Sequence, residues 1–118
     1  MERAGVRQLE RFNEYRIMWV VVFFDMPTET AADRKQYTIF RKKLLKNGFG
    51  MMQYSIYTRH CMSRENAQAH QKYVKANLPP KGHIVMLMIT DRQFGMMEVF
   101  YGPKADKPPL ASAQLEMF

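Results

Sequence analysis

The sequence predicts an α+β domain built on one antiparallel sheet. Three observations carry that expectation. Two apolar runs, Met18–Phe24 and Ile84–Ile89, have strand length and strand composition. Two segments between them have helical spacing, each with a hydroxyl residue ahead and a breaker behind. A stretch of strand-like residues, 49–60, separates the two helical segments.

The frame is residues 17–27, Ile-Met-Trp-Val-Val-Val-Phe-Phe-Asp-Met-Pro. Its seven apolar residues from Met18 to Phe24 are too few to span a membrane and too uniform for a half-exposed strand. They predict a central strand covered on at least one face. Asp25 ends the run, and Pro27 cannot donate to a ladder. A carboxylate at the mouth of a buried strand is either a cap or a functional group on a rigid support. The residues alone leave both open.

Before that strand, residues 1–16 form a basic leader with Arg3, Arg7, Arg11 and Arg16. Leu9, Phe12 and Tyr15 stand at helical spacing, so a short amphipathic helix and a flexible leader are both open. After the strand, Thr30-Ala-Ala-Asp33 matches a capping box. A helix is expected from Ala31 to Asn47, with Gly48 as its left-handed terminator. Tyr37, Phe40 and Leu44 share one face and should pack on the sheet. Lys35, Lys42 and Lys46 form a second stripe flanked by Arg34 and Arg41, which is either a solvated face or a phosphate-binding one.

Residues 49–60 have room for a short strand and a longer one, with Tyr54, Ile56 and Thr58 on one face and Ser55, Tyr57 and Arg59 on the other. His60 and Cys61 are adjacent, but two ligands without a second pair do not make a zinc site. Ser63 caps a second helix over 64–77, with Ala67, Val74 and Leu78 buried, and Pro79-Pro80 ends it. Lys81-Gly82 turns into a strand over 83–90. Residues 91–95 are a connector, 96–101 an extra strand, and 103–118 a polar, Pro-containing, flexible tail. The core domain is thus 17–102.

With two strands in the middle the order is βαββαβ, the ferredoxin-like arrangement with both helices on one sheet face. The other face then needs cover, and a second copy packed sheet to sheet supplies it. A homodimer is expected.

The chain has 118 residues, enough for one domain with a modest core. Its net charge of +7 favours a polyanionic partner. The single Cys61 excludes an internal disulfide framework and fits a reducing compartment. No apolar run reaches the ~18 residues of a membrane helix, and no secretory apolar region is present, so a cytoplasmic location is expected.

The ordered set Val20-Val-Val-Phe-Phe-Asp25, Arg34-Lys35, Asn47-Gly48-Phe49 and Gln53-Tyr-Ser55-Ile-Tyr57 resembles the CRISPR-associated protein 2 family. The resemblance spans about residues 17–102. Tyr15–Trp19 and Thr90–Gly95 are most similar to the versions that accompany single-protein RNA-guided nuclease systems. Many members have Glu where Thr58 stands, and the leader and the tail lie outside the shared core.

The resemblance implies a ferredoxin-like homodimer that bridges two dimers of the CRISPR integrase, CRISPR-associated protein 1. Such a bridge holds the backbone of double-stranded DNA captured as a new spacer. For some members the resemblance also implies metal-dependent endonuclease activity on RNA or DNA, with the strand-end Asp as ligand and catalytic residue. Asp25 carries that role here. A lone carboxylate is a poor Mg2+ site, and a two-fold axis that brings two Asp25 side chains together supplies the second ligand. No His or Lys stands out in sequence as a general base.

For the adaptor role, Arg34, Lys35, Arg41, Lys42 and Arg59 are the candidate phosphate contacts. Two other classes stay open. One is a free-standing, toxin-like endoribonuclease on the same fold. The other is a small-ligand regulatory domain, which the basic helix and the absence of a Gly-rich ligand loop disfavour. The tail ends Gln114-Leu-Glu-Met-Phe118, similar to the pentapeptide with which bacterial proteins dock on the replication sliding clamp. Leu115, Met117 and Phe118 would be its anchors, either on that clamp or on this protein's own sheet edge or the integrase.

Overall fold

Strand β1 (Met18–Asp25) lies inside a four-stranded sheet of order β2-β3-β1-β4, antiparallel at every junction. Here β2 is Gly50–Gln53, β3 Ile56–Cys61 and β4 His83–Thr90. Helix α1 (Ala31–Lys46) joins β1 to β2, and α2 (Arg64–Ala76) joins β3 to β4. This computed structural model describes residues 16–102 and 104–105. Residues 1–15 of the leader expected over 1–16, and the anchors Leu115, Met117 and Phe118, lie outside the described residues.

Alternation along β1 divides the protein into two cores. Met18, Val20, Val22 and Phe24 face the helices and pack with Phe40 and Leu44 of α1 and Ala67 and Val74 of α2. Both helices therefore cover one sheet face, as the βαββαβ order requires. Trp19 points to the other face and packs with Phe94. That residue sits on α3 (Asp91–Gly95), where the sequence suggested only a connector. Five residues form a helix because Thr90 and Gln93 make a complete capping box: Gln93 N–H donates to Thr90 Oγ1 at 3.1 Å, and Thr90 N–H to Gln93 Oε1 at 2.9 Å.

The expected box at Thr30 is realised on one side. Thr30 Oγ1 accepts from Asp33 N–H at 3.0 Å, while Asp33 leans toward Lys81, Oδ1 to Nζ 3.9 Å. The far end of α1 is a Schellman motif: Gly48 N–H donates to Leu45 O and Phe49 N–H to Leu44 O, both at 3.0 Å. Gly48 has φ +84°, which a residue without Cβ adopts at no steric cost.

Three expectations are corrected. Tyr54 does not share a face with Ile56 and Thr58. Tyr54-Ser55 is the turn between β2 and β3, Ser55 has φ +65°, and the turn resets the alternation so that Tyr54 stacks on Tyr37 of α1. Leu78 is 49% exposed, because α2 ends at its Asn77 cap and the helical stripe lapses there. The extra strand is shorter than 96–101: β5 is only Phe100–Tyr101, in a hairpin with β6 (Lys104–Ala105).

Candidate metal and nucleic-acid site

Asp25 is the last residue of β1, exposed and on the sheet face away from α1 and α2, in line with Trp19, Val21 and Phe23. Its backbone is held from two sides. On the β3 side, Phe24 N–H donates to Ser55 O at 3.0 Å. On the β4 side, β1 and β4 pair without a bulge from Met18↔Thr90 to Asp25↔His83. Gly82 presses on the strand end, where a Cβ would come within 2.7 Å of Asp25 O, and its φ of +104° independently demands glycine. The carboxylate is thus an exposed group on a rigid support.

The residue opposite Asp25 is His83, also exposed. Cross-strand partners project from the same face, so sheet register supplies the imidazole that no sequence spacing revealed. Among the described residues, no three His, Cys, Asp or Glu side chains are grouped to hold a metal ion. Asp25 and His83 are a two-donor set, which fits a divalent ion only with water, phosphate oxygens or a second copy completing the shell.

The outer face beside this pair is apolar and open. Phe23, Val85 and Leu87 are 37%, 58% and 47% exposed, where a covered sheet would bury all three. At the opposite end of the same face, Trp19 lies stacked on Phe94, ring centroids 3.8 Å apart, and edge-on to His60. Burial lowers the His60 pKa, against the opposing pull of the Asp91 carboxylate. His60 and Cys61 alternate to opposite faces, so they share no site, and burial pushes the Cys61 thiol up.

The basic candidates separate by how much of each is committed to the fold. Lys35 and Lys42 are exposed on α1. Arg34 is exposed too, with one guanidinium nitrogen donating to Thr28 O and Glu29 O. Arg41 turns inward and its Nε donates to the hydroxyl of the fully buried Tyr57 at 2.8 Å. Arg59 lies on the helix side of β3. Its Nε donates to Asn47 O at 3.1 Å and a terminal nitrogen to His60 O at 2.6 Å. A cation at this place complements the C-terminal end of α1. Sequence spacing placed Arg41 and Arg59 near that surface but could not show what they hold.

On the helix side of the same strand end, a cavity of about 120 Å3 is lined by Met26, Pro27, Ala32, Asp33, Gln36, Pro80 and Lys81. Nearby, Tyr54 is 69% exposed and stacked on Tyr37, whose phenol burial and the Tyr54 hydrogen bond raise above its ordinary pKa.

A family model described as CRISPR associated protein Cas2 matches residues 18–97, the span from β1 past α3. The chain belongs to the Cas2 family. A Cas2 relative from Flavobacterium psychrophilum is 55% identical over 108 residues, covering 92% of this chain and 94% of the relative. One from Parvibaculum lavamentivorans is 48% identical over 101 residues, 86% of this chain and all of the relative. One from Acidovorax ebreus is 38% identical over 102 residues, 86% of this chain and all of the relative. Each of the three is named CRISPR-associated endoribonuclease Cas2. Among the described residues, no helix is long and apolar enough to cross a membrane.

Proposed function

We propose that this chain is the small adaptor subunit of the CRISPR adaptation complex. It acts as a homodimer that bridges dimers of the integrase, CRISPR-associated protein 1, and holds the backbone of duplex DNA destined to become a spacer. The observation that carries this reading is the open outer sheet face. Phe23, Val85 and Leu87 form an apolar surface opposite the helices, and a second copy would cover it. Arg34, Lys35, Arg41 and Lys42 are all carried by α1 and would contact phosphates, with Arg59 holding the end of that helix in place. Such contacts release counterions and are indifferent to sequence.

A second reading is favoured by Asp25 itself. An exposed carboxylate on a rigid strand end, in a family whose relatives are named endoribonucleases, supports metal-dependent phosphodiester cleavage. Asp25 would hold the ion, Mg2+ with a second Asp25 across the two-fold axis. When bound, the ion would polarise the phosphate and lower the pKa of a coordinated water. A free-standing ribonuclease would need this site and no integrase.

Reconstitution separates the two. The wild-type protein should co-purify with the integrase and enable it to insert a short duplex, and Asp25→Ala should retain that activity while losing metal-dependent cleavage. Cleavage without any effect on insertion would favour the ribonuclease reading. Sedimentation should show a dimer at micromolar concentration; a stable monomer would defeat the bridging architecture.

A further inference from the structure

We propose that His83 joins Asp25 as a ligand of the divalent-metal site, and that it makes the site prefer first-row transition ions over Mg2+. The inference rests on the metal-ligand reading of Asp25 and deepens it by naming a further ligand and the class of ion.

The geometry comes from the ladder. Asp25 closes β1 and His83 opens β4, and they are direct partners at the end of an unbroken eight-residue register. Direct partners have Cβ atoms about 4.5–5.5 Å apart on one face. Two donors on one ion, each at about 2.0–2.2 Å, lie roughly 3 Å from one another, a separation that these two side chains can close by rotation alone. Neither side chain has a hydrogen bond or ion pair among the described residues, so binding would displace no contact described there. The support is stiff on both strands, because Gly82 packs on the Asp25 carbonyl immediately before His83. A loop-borne histidine would lack that constraint.

The chemistry follows from the donor types. A carboxylate by itself suits Mg2+ or Mn2+, whereas imidazole nitrogen shifts a mixed site toward Co2+, Ni2+ and Zn2+. Mg2+ takes oxygen ligands and keeps its waters, so His83 would add little to its binding.

The test uses the full-length chain without an affinity tag, titrated calorimetrically with Co2+ and with Mg2+. His83→Ala should weaken Co2+ binding roughly tenfold or more while leaving Mg2+ unchanged, and Asp25→Asn should weaken both. The chain has three histidines, so their imidazole NMR signals are countable, and traces of Mn2+ should broaden the His83 signals and spare those of His60 and His70. His83→Gln provides a second variant, and circular dichroism checks the fold of each. Co2+ affinity within twofold of wild type in both His83 variants, or broadening at His60 or His70 instead, overturns the role of His83. In that case, weakened Mg2+ binding in Asp25→Asn would leave Asp25 standing as a ligand. Unchanged binding in Asp25→Asn, or no binding by the wild type, overturns the metal reading and this inference together.

Discussion

The indole N–H of Trp19 donates to Asp91 Oδ1 at 2.7 Å, joining the second residue of β1 to the first residue of α3. Asp91 N–H in turn donates to Ile17 O at 2.9 Å, so α3 is pinned to the start of the central strand by side chain and backbone. Phe94 can then lie flat on the indole and bury that end of the outer face. The other end, with Phe23, Val85 and Leu87, stays open.

Asp91→Ala should therefore destabilise the fold by about 1.5–3 kcal/mol, the range for a hydrogen bond to a charged group. Chemical denaturation measures the loss. Trp19 is the only tryptophan, so its emission should also shift to the red as α3 loosens. An unchanged midpoint and spectrum would show that Phe94 packing alone secures the helix.

Gly48→Ala should cost about 1–3 kcal/mol, because φ +84° strains any residue with a Cβ. The added Cβ would also meet Arg59 Nε at 2.7 Å, so the side chain that satisfies Asn47 O must move. In an Arg59→Ala background the cost of Gly48→Ala should be smaller, since that collision is gone. A double-mutant cycle read by unfolding midpoints reports the coupling, and strict additivity would rule the collision out.

Charge reversal at Lys35 and Lys42 should weaken binding to unrelated duplexes equally and flatten the dependence on salt, with a loss of about 0.9 in log–log slope per phosphate contact removed. Arg59→Ala should instead lower the unfolding temperature with little change in that slope, because its guanidinium is spent on Asn47 O and His60 O. Fluorescence anisotropy across a salt series distinguishes them. Normal binding by the lysine variants would make the α1 face merely solvated.

Acid should destabilise the protein through His70 and His60. Burial lowers both pKa values, with Arg59 adding to the effect at His70. Asn47 Nδ2 donates to His70 Nδ1 at 3.0 Å, so the neutral imidazole is the acceptor. Unfolded imidazoles titrate near about 6.5, above the folded values, so the unfolded state takes up protons first as pH falls. These contributions are complete above the unfolded value and are lost progressively below it. Melting temperatures between pH 7.5 and 5.5 should fall, and His70→Gln should flatten the slope. An equal slope in the variant would place the acid sensitivity elsewhere.

Most of the scaffold was legible because its signals are local. The apolar run of β1, the hydroxyl caps at Thr30 and Ser63, and the Gly48 terminator each act within one helical turn or one strand. The order of these elements then left few arrangements that bury both helices, and the ferredoxin-like one was observed. Local rules failed where a turn reset the phase, as at Tyr54-Ser55, and where a short helix depended on a distant partner, as α3 does on Trp19.

The amino-acid sequence by itself determined which segments become strands and helices, which stripe of α1 is basic, and that Asp25 stands at a strand end. Only the tertiary structure decided what those side chains meet. Arg41 turns to Tyr57 and Arg59 to the end of α1 because a buried hydroxyl and the open carbonyls of a helix end both need partners, wherever the chain brings them from. His83 stands beside Asp25 because β4 is seated by its apolar face, and shifting it by one residue would turn Ile84, Met86 and Met88 out of the core. Register is a property of the whole sheet, and no window of sequence contains it.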